Sequence, residues 1–177
     1  AYAFESIVPG KDGFTHYISL DGKVSDLYKT VVEGSLKFSP DSKAFIFEAE
    51  IHDVFFIVNN GRQGNHYSDV MQFTPVFSPD NSHLAYAVEK DTKRFVTVDN
   101  KEELPYDDIF SIAFSPNNRQ LVYSARQNNK EFVVVDGKKG TLYDSFPGSG
   151  EIFFDSPDSF HYMAKKGTNI SLVEGIL

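Results

Sequence analysis

Cysteine and tryptophan are both absent from this chain of 177 residues. Without cysteine there are no disulfides, no thiolate chemistry and no cysteine-based zinc site. That absence does not set the compartment: periplasmic, secreted and cytoplasmic chains all fit it. Basic residues are outnumbered, 17 Lys and Arg against 25 Asp and Glu, giving a net charge of −8. Nonspecific nucleic-acid binding needs a basic surface that displaces counterions, so no nucleic-acid partner is expected. The charge serves solubility. No apolar run approaches the roughly 18 residues of a membrane-spanning helix, and no membrane insertion is expected. The first residues lack a charged n-region followed by a long apolar h-region, so no signal peptide is expected in this sequence. No helical or heptad period appears.

Catalytic signatures are missing too. There is no Gly-x-Ser-x-Gly elbow, no His-x-x-x-His pair and no EF-hand spacing, so no enzyme activity, cofactor or metal is expected. One local group, Glu48, Glu50, His52 and Asp53, is read as lying in a loop between two strands. Alternation along an extended chain would put Glu48, Glu50 and His52 on one side. Oxygen ligands suit hard cations and imidazole suits zinc-like metals, but a solvated hairpin tip is the preferred reading.

What is present is a repeat. Ser-Pro-Asp or Ser-Pro-Asn recurs at Ser39, Ser78, Ser115 and Ser156, at intervals of 39, 37 and 41 residues. Tyr28, Tyr67, Tyr106 and Tyr143 keep the same rhythm, and Asp69, Asp107 and Asp144 follow the last three. A turn dipeptide is the third marker: Asp21-Gly22, Asn60-Gly61, Asp99-Asn100, Asp136-Gly137 and Glu174-Gly175. Proline presets φ in a turn and Asp or Asn bonds its own backbone two residues on. Asn-Gly and Asp-Gly fit type I′ hairpins. Between the markers lie β-branched and aromatic runs such as Leu84–Val88 and Phe132–Val135.

Each unit therefore reads as four antiparallel strands, a to d. In the third, strand a covers 74–78, strand b 84–88, a polar loop 89–94, strand c 95–98 and strand d 106–109. A four-stranded meander of about 40 residues, repeated, is the blade of a β-propeller. The expected fold is all-β, with about five blades' worth of repeats: 1–34 (partial), 35–73, 74–110, 111–150 and 151–177 (partial), in a single repeat domain. Residues 1–5 are aligned with strand b residues 85–89, and a long loop is expected from Ser6 to Thr15. At the other end Asn169–Val173 aligns with strand c, and Glu174-Gly175 with the turn after it. Three arrangements fit this count: five blades with one thinned, an excerpt of a longer propeller, or a half that pairs with another copy and completes a ring. Phe146–Gly150 is read as an ordinary loop between blades.

Phe38, Phe77 and Phe114 are assigned to the core between blades, which predicts that Phe77→Ala costs roughly 3–5 kcal/mol. Asp155 takes the same position in the last repeat. A bulge that lets Phe154 fill the core is preferred there, since an unpaired buried charge is costly. Residues that differ between repeats are the candidates for recognition: Arg62, His66, Arg94, Arg126 and Asp155.

The run Pro75-Val76-Phe77-Ser78-Pro79-Asp80, followed by Leu84-Ala85-Tyr86 and then by Phe132-Val133-Val134-Val135-Asp136-Gly137-Lys138, resembles the TolB-type, WD-repeat-like propeller repeats common in bacteria and archaea. The resemblance extends over essentially the whole chain. It implies a propeller that acts as a docking platform for a protein or peptide partner, or as the accessory domain of a hydrolase. A small-ligand or carbohydrate-binding propeller, with equivalent pockets recurring between blades, is the alternative from another class.

Overall fold

The computed structural model describes residues 3–10, 13–72 and 74–177. They form two compact units, residues 1–73 and 74–177. All regular structure is β, and no helix occurs among the described residues.

The first unit holds two antiparallel meanders. The first runs through Ala3–Gly10, Gly13–Leu20 and Lys23–Val24. In the second, Thr30–Val31 and Lys37–Phe38 both pair with Phe45–Ile51, which is followed by Val54–Asn59 and Arg62–Gln63. The second unit holds three. The third meander is Val76–Phe77, Leu84–Lys90, Lys93–Val98 and Lys101–Glu102. The fourth is Asp108–Phe114, Leu121–Gln127, Lys130–Val135 and Lys138–Lys139, and the fifth is Phe153–Ser156, Ser159–Lys166 and Asn169–Ile176.

Turn chemistry sets this register. Asp21-Gly22, Asn60-Gly61, Asp99-Asn100 and Asp136-Gly137 all have positive φ at both residues, between 46° and 82°. This is the demand of a type I′ turn, whose twist matches that of the strands it joins. The side chains of Asn60, Asp99 and Asp136 also accept the backbone N–H of Phe45, Leu84 and Leu121 at 3.0, 3.1 and 3.0 Å. Each turn thereby closes the start of strand b.

The Ser-Pro repeat is a second hub. Ser39, Ser78 and Ser115 are buried. Each hydroxyl donates to the acidic or amide side chain two residues on, at 2.7 Å in all three. Each also accepts the N–H five residues on, at 2.9, 2.9 and 3.0 Å. Neighbouring hubs touch within the second unit. Asp80 N–H donates to Asn118 Oδ1 at 2.8 Å, and Asn117 Nδ2 to Asp158 Oδ1 at 2.9 Å.

Several boundaries differ from the sequence reading. The polar stretch 89–94 is not a loop: strands b and c continue through Glu89↔Arg94 and Lys90↔Lys93, and only Asp91-Thr92 turns. Polar residues there alternate on an exposed hairpin tip, which mimics loop composition. Strand d is the short Lys101–Glu102, and Tyr106 adds a single bridge to Arg94. Asp108 and Ile109 already belong to strand a of the fourth meander. Most of the expected loop Ser6–Thr15 is paired strand, from Ser6↔Tyr17 to Gly10↔Gly13, with residues 11 and 12 outside the described set. Because Ala3 pairs with Leu20 as Ala85 pairs with Val98, Phe4 stands at the Tyr86 position, two residues off the expected alignment. Glu174-Gly175 is strand, not turn. A Cβ at Gly175 would collide with the Phe160 ring, which lies over bare backbone.

Phe38, Phe77 and Phe114 are half-buried rather than core. The buried positions are the hub serine beside each and the central residues of strands b and c. In the first unit Ile18, Tyr28, Phe47, Ala49, Phe56 and Val58 form one cluster. In the second, Val122, Val133, Phe146, Phe160, Tyr162 and Ala164 belong to another. The Phe146–Gly150 stretch is therefore more than a connection: Phe146 anchors that core, and Gly150 at φ +65° accepts the Ser124 hydroxyl on its carbonyl at 2.7 Å.

Successive meanders within a unit join through one repeated contact. The marker tyrosine of one meets the strand-b aromatic of the next, edge to face. Tyr28–Phe47, Tyr106–Tyr123 and Tyr143–Tyr162 have ring centroids 5.5, 5.9 and 6.1 Å apart at 74°, 67° and 81°. That geometry satisfies the ring quadrupoles as well as burying area.

Candidate functional site

In the fifth meander, alternation sends Phe160, Tyr162 and Ala164 inward. The opposite face carries Phe153, His161, Met163 and Leu172, paired as Phe153↔His161 and Met163↔Leu172. Three of these apolar side chains lie open: Phe153 is 51% exposed, Met163 41% and Leu172 57%. With the loop Pro147–Ser149 they line a hollow of about 330 Å³. His161 stacks on Phe153, centroids 5.4 Å apart at 20°, and its Nδ1 meets the Asp155 carboxylate at 2.8 Å. The site thus has an apolar floor with one polar, proton-bearing edge. Ser149 and Glu151 add polar groups to its lining.

The sequence-derived residues fall in separate places. Arg94 and Arg126 do come together, both on Asp108. Arg94 Nη1 donates to one carboxylate oxygen, and Arg126 Nη2 to the other at 2.5 Å. Arg126 also lies 5.4 Å over the Phe110 ring and 3.9 Å from Glu131. The Glu131 carboxylate in turn accepts the N–H of Phe146. These arginines neutralise buried carboxylates at the seam between the third and fourth meanders, so their charge is already engaged. Arg62 and His66 belong to the first unit, where both are exposed and His66 packs on Phe56 at 4.9 Å. Asp155 is exposed at a register shift between Phe154 and Ser156, and Phe154 packs on the core. It is the one sequence candidate that borders the hollow.

The quartet Glu48, Glu50, His52 and Asp53 does not form the expected loop. Glu48 and Glu50 are in strand Phe45–Ile51, and only His52-Asp53 turns. Lys29 Nζ donates to Glu50 at 2.5 Å and to Asp53 at 2.6 Å. Glu48 is buried, and burial together with the nearby Asp69 charge pushes its carboxyl up to about 7. Among the described residues no group of three or more His, Asp or Glu side chains is disposed to hold a metal ion, and no helix is long and apolar enough to cross a membrane.

Sequence reasoning missed Met163, Leu172 and Phe153. The available signal was positional. Met163 stands where Ser124 stands in the fourth meander, and Leu172 where Val133 stands, so the apolar side chains are larger at the places where cover is lacking.

No family model matches the chain, and no curated protein matches it. Among solved structures it is similar to the crystal structure of TolB from Acinetobacter baumannii, with a TM-score of 0.54 at 12% identity. The likeness takes in 96% of this chain and 48% of that one, so the chain spans about half the length of that protein. At this identity the likeness speaks for the fold alone. The chain has a TolB-like all-β fold.

Proposed function

We propose that the chain is a non-catalytic scaffold of propeller type, its meanders serving as blades, and that it binds a protein or peptide partner on the hollow of the fifth meander. One observation carries this reading: a contiguous apolar face, Phe153, Met163 and Leu172, open beside the Asp155–His161 pair. Apolar patches rimmed by polar groups mark interaction sites. The TolB-like fold adds a framework of rigid strands on which such a patch can be held. A lectin-like role would call for equivalent pockets recurring between blades. In the fourth meander the positions equivalent to Met163 and Leu172 are Ser124 and Val133, and both are buried.

A displayed random-peptide library panned on the immobilised protein tests the reading. Recovered peptides should carry aromatic or aliphatic anchors and lose at least about tenfold in affinity against Leu172→Asp, the loss of one buried apolar anchor. Peptides that bind wild type and Leu172→Asp equally, or no enrichment at all, would refute it.

A further inference from the structure

The open face of the fifth meander has an internal precedent. By register from the hairpin turn, His161, Met163 and Leu172 occupy the positions of Val122, Ser124 and Val133. In the fourth meander those positions are closed, Val122 at 0% and Val133 at 4% exposure, because Phe160, Tyr162 and Ala164 of the fifth meander pack on them. The molecule therefore displays what covers this kind of face: the inward side of another meander, led by its strand-b aromatic.

A matching half lies in the first unit. Phe4 stands at the strand-b aromatic position, equivalent to Phe47, Tyr123 and Tyr162. Those three are buried, whereas Phe4 is 49% exposed. Phe4, Ser6, Tyr17 and Ser19 share its side of the sheet, through the pairs Phe4↔Ser19 and Ser6↔Tyr17. The opposite side, with Ala3 and Ile18, is already packed on the second meander. So one sheet presents an unmet aromatic and another presents an unmet receiving face, each equivalent to half of the junctions inside the units.

We infer that these two faces join between copies of the chain, the Phe4 face of one copy seating on the Phe153, Met163 and Leu172 face of the next. The inference rests on reading the hollow as a protein-binding surface, and it names the partner as a second copy. The contact is heterologous, head to tail, because the two halves differ. Its size grows with concentration, and it closes into a ring or continues as a filament according to the rotation it imposes.

The test is light scattering on the whole chain over a wide concentration range, with Phe4→Asp and Leu172→Asp. Both sites are exposed, so each variant should keep its β-type circular dichroism and its melting temperature. The wild-type mass should rise with concentration. Each variant alone should remain a monomer. Mixed in equal amounts, the two variants should recover a dimer and stop there, since the mixture holds one intact pair of faces per dimer. A wild type that stays monomeric throughout, a mixture that stays monomeric, or a single variant that still dimerises would overturn the inference. Peptide capture on the hollow by a strictly monomeric wild type would leave the scaffold reading standing while removing this one. Self-association that Leu172→Asp abolishes, without any peptide capture, would do the reverse.

Discussion

The junction between the first and second meanders and the junction between the third and fourth are built to one shape from different chemistry. Both put a marker tyrosine edge-on to the next strand-b aromatic. In the second unit the tyrosines are polar partners: Tyr123 Oη donates to Glu103 at 2.7 Å and lies 3.4 Å from Tyr106 Oη. In the first unit the aromatic is Phe47, and among the described residues Tyr28 Oη finds no partner. The residue after the tyrosine reverses its charge as well. Lys29 reaches Glu50 and Asp53 of the next meander. Asp107 instead accepts from Lys93 Nζ at 2.5 Å and from the turn N–H of Asn128 at 2.8 Å. Asp144 repeats the Asp107 pattern with Lys130 and the N–H of Gly167. Ring shape at the seam is thus constrained, while the sign of the staple beside it is free, as expected if packing sets the geometry and exposed ion pairs add little.

The sharpest way to break the comparison is to delete the shared ring. Phe47→Ala and Tyr123→Ala should each cost about 3–5 kcal/mol in urea unfolding, as large-to-small changes at closed sites do. A large difference between the two would mean that the junctions are not energetic equivalents. Phe77→Ala, at a half-buried site, should cost less than either.

Next in size is the buried Glu48 carboxyl of the first unit. The Glu48 pKa is raised in the fold to about 7 from 4.5. The folded state then holds its proton more tightly than the unfolded chain, so stability falls as pH rises from the unfolded carboxyl range through about 7. Glu48→Gln should flatten that fall and gain about 1–3 kcal/mol at about pH 8. Thermal unfolding scanned from about pH 5 to about pH 8 checks it; an unchanged slope would place the pH dependence elsewhere.

Of similar size is the hub serine. Ser78→Ala leaves the N–H of His83 and the Asp80 carboxylate without their shared hydroxyl, and should cost about 1–3 kcal/mol. The Asp80 carboxyl is held down at about 2 by Ser78 and by the Ser82 N–H and hydroxyl. A depressed acid stabilises the fold above its unfolded pKa and loses that contribution as pH falls, so the variant should also be less sensitive to acid.

The finest test exchanges hydroxyls across the comparison. Phe47→Tyr offers Tyr28 the partner that Tyr106 already has and should gain about 0.5–1 kcal/mol, while Tyr123→Phe should lose about as much. Opposite signs would confirm that hydrogen bonding of the ring hydroxyls separates the two seams energetically.

The meanders are legible in the sequence because their turns depend on residues with particular backbone freedom. Asp21-Gly22, Asn60-Gly61 and Asp136-Gly137 announce themselves, and so does Ser-Pro-Asp. Strand edges are less legible. Lys93 and Arg94 look like loop because an exposed hairpin tip selects polarity whatever its conformation, and Lys101–Glu102 has no strand propensity and is held by the turn before it. Hydrophobicity points the Phe-Ser-Pro phenylalanine to the core, yet the small serine beside it takes the buried place through its hydrogen bonds. The candidate site is least legible. Met163 and Leu172 look like any strand residues, and their meaning comes from which neighbouring sheet covers the equivalent residues in the fourth meander. Asp155 stands out because it breaks the repeat.

The junction tyrosine and the strand-b aromatic lie on different sheets, yet every middle repeat encodes both. A gene duplication that inserts one such unit supplies a receiving face for the next meander and a presenting face for the previous one. No compensating mutation is needed at either seam, since each new boundary has the same two halves as the old ones. The staple beside the seam, free to be lysine or aspartate, can then drift in sign and give each copy its own address. Growth by repetition and divergence in pairing are thereby separated into different residues: the rings permit the array to lengthen, and the charges let its members become distinct.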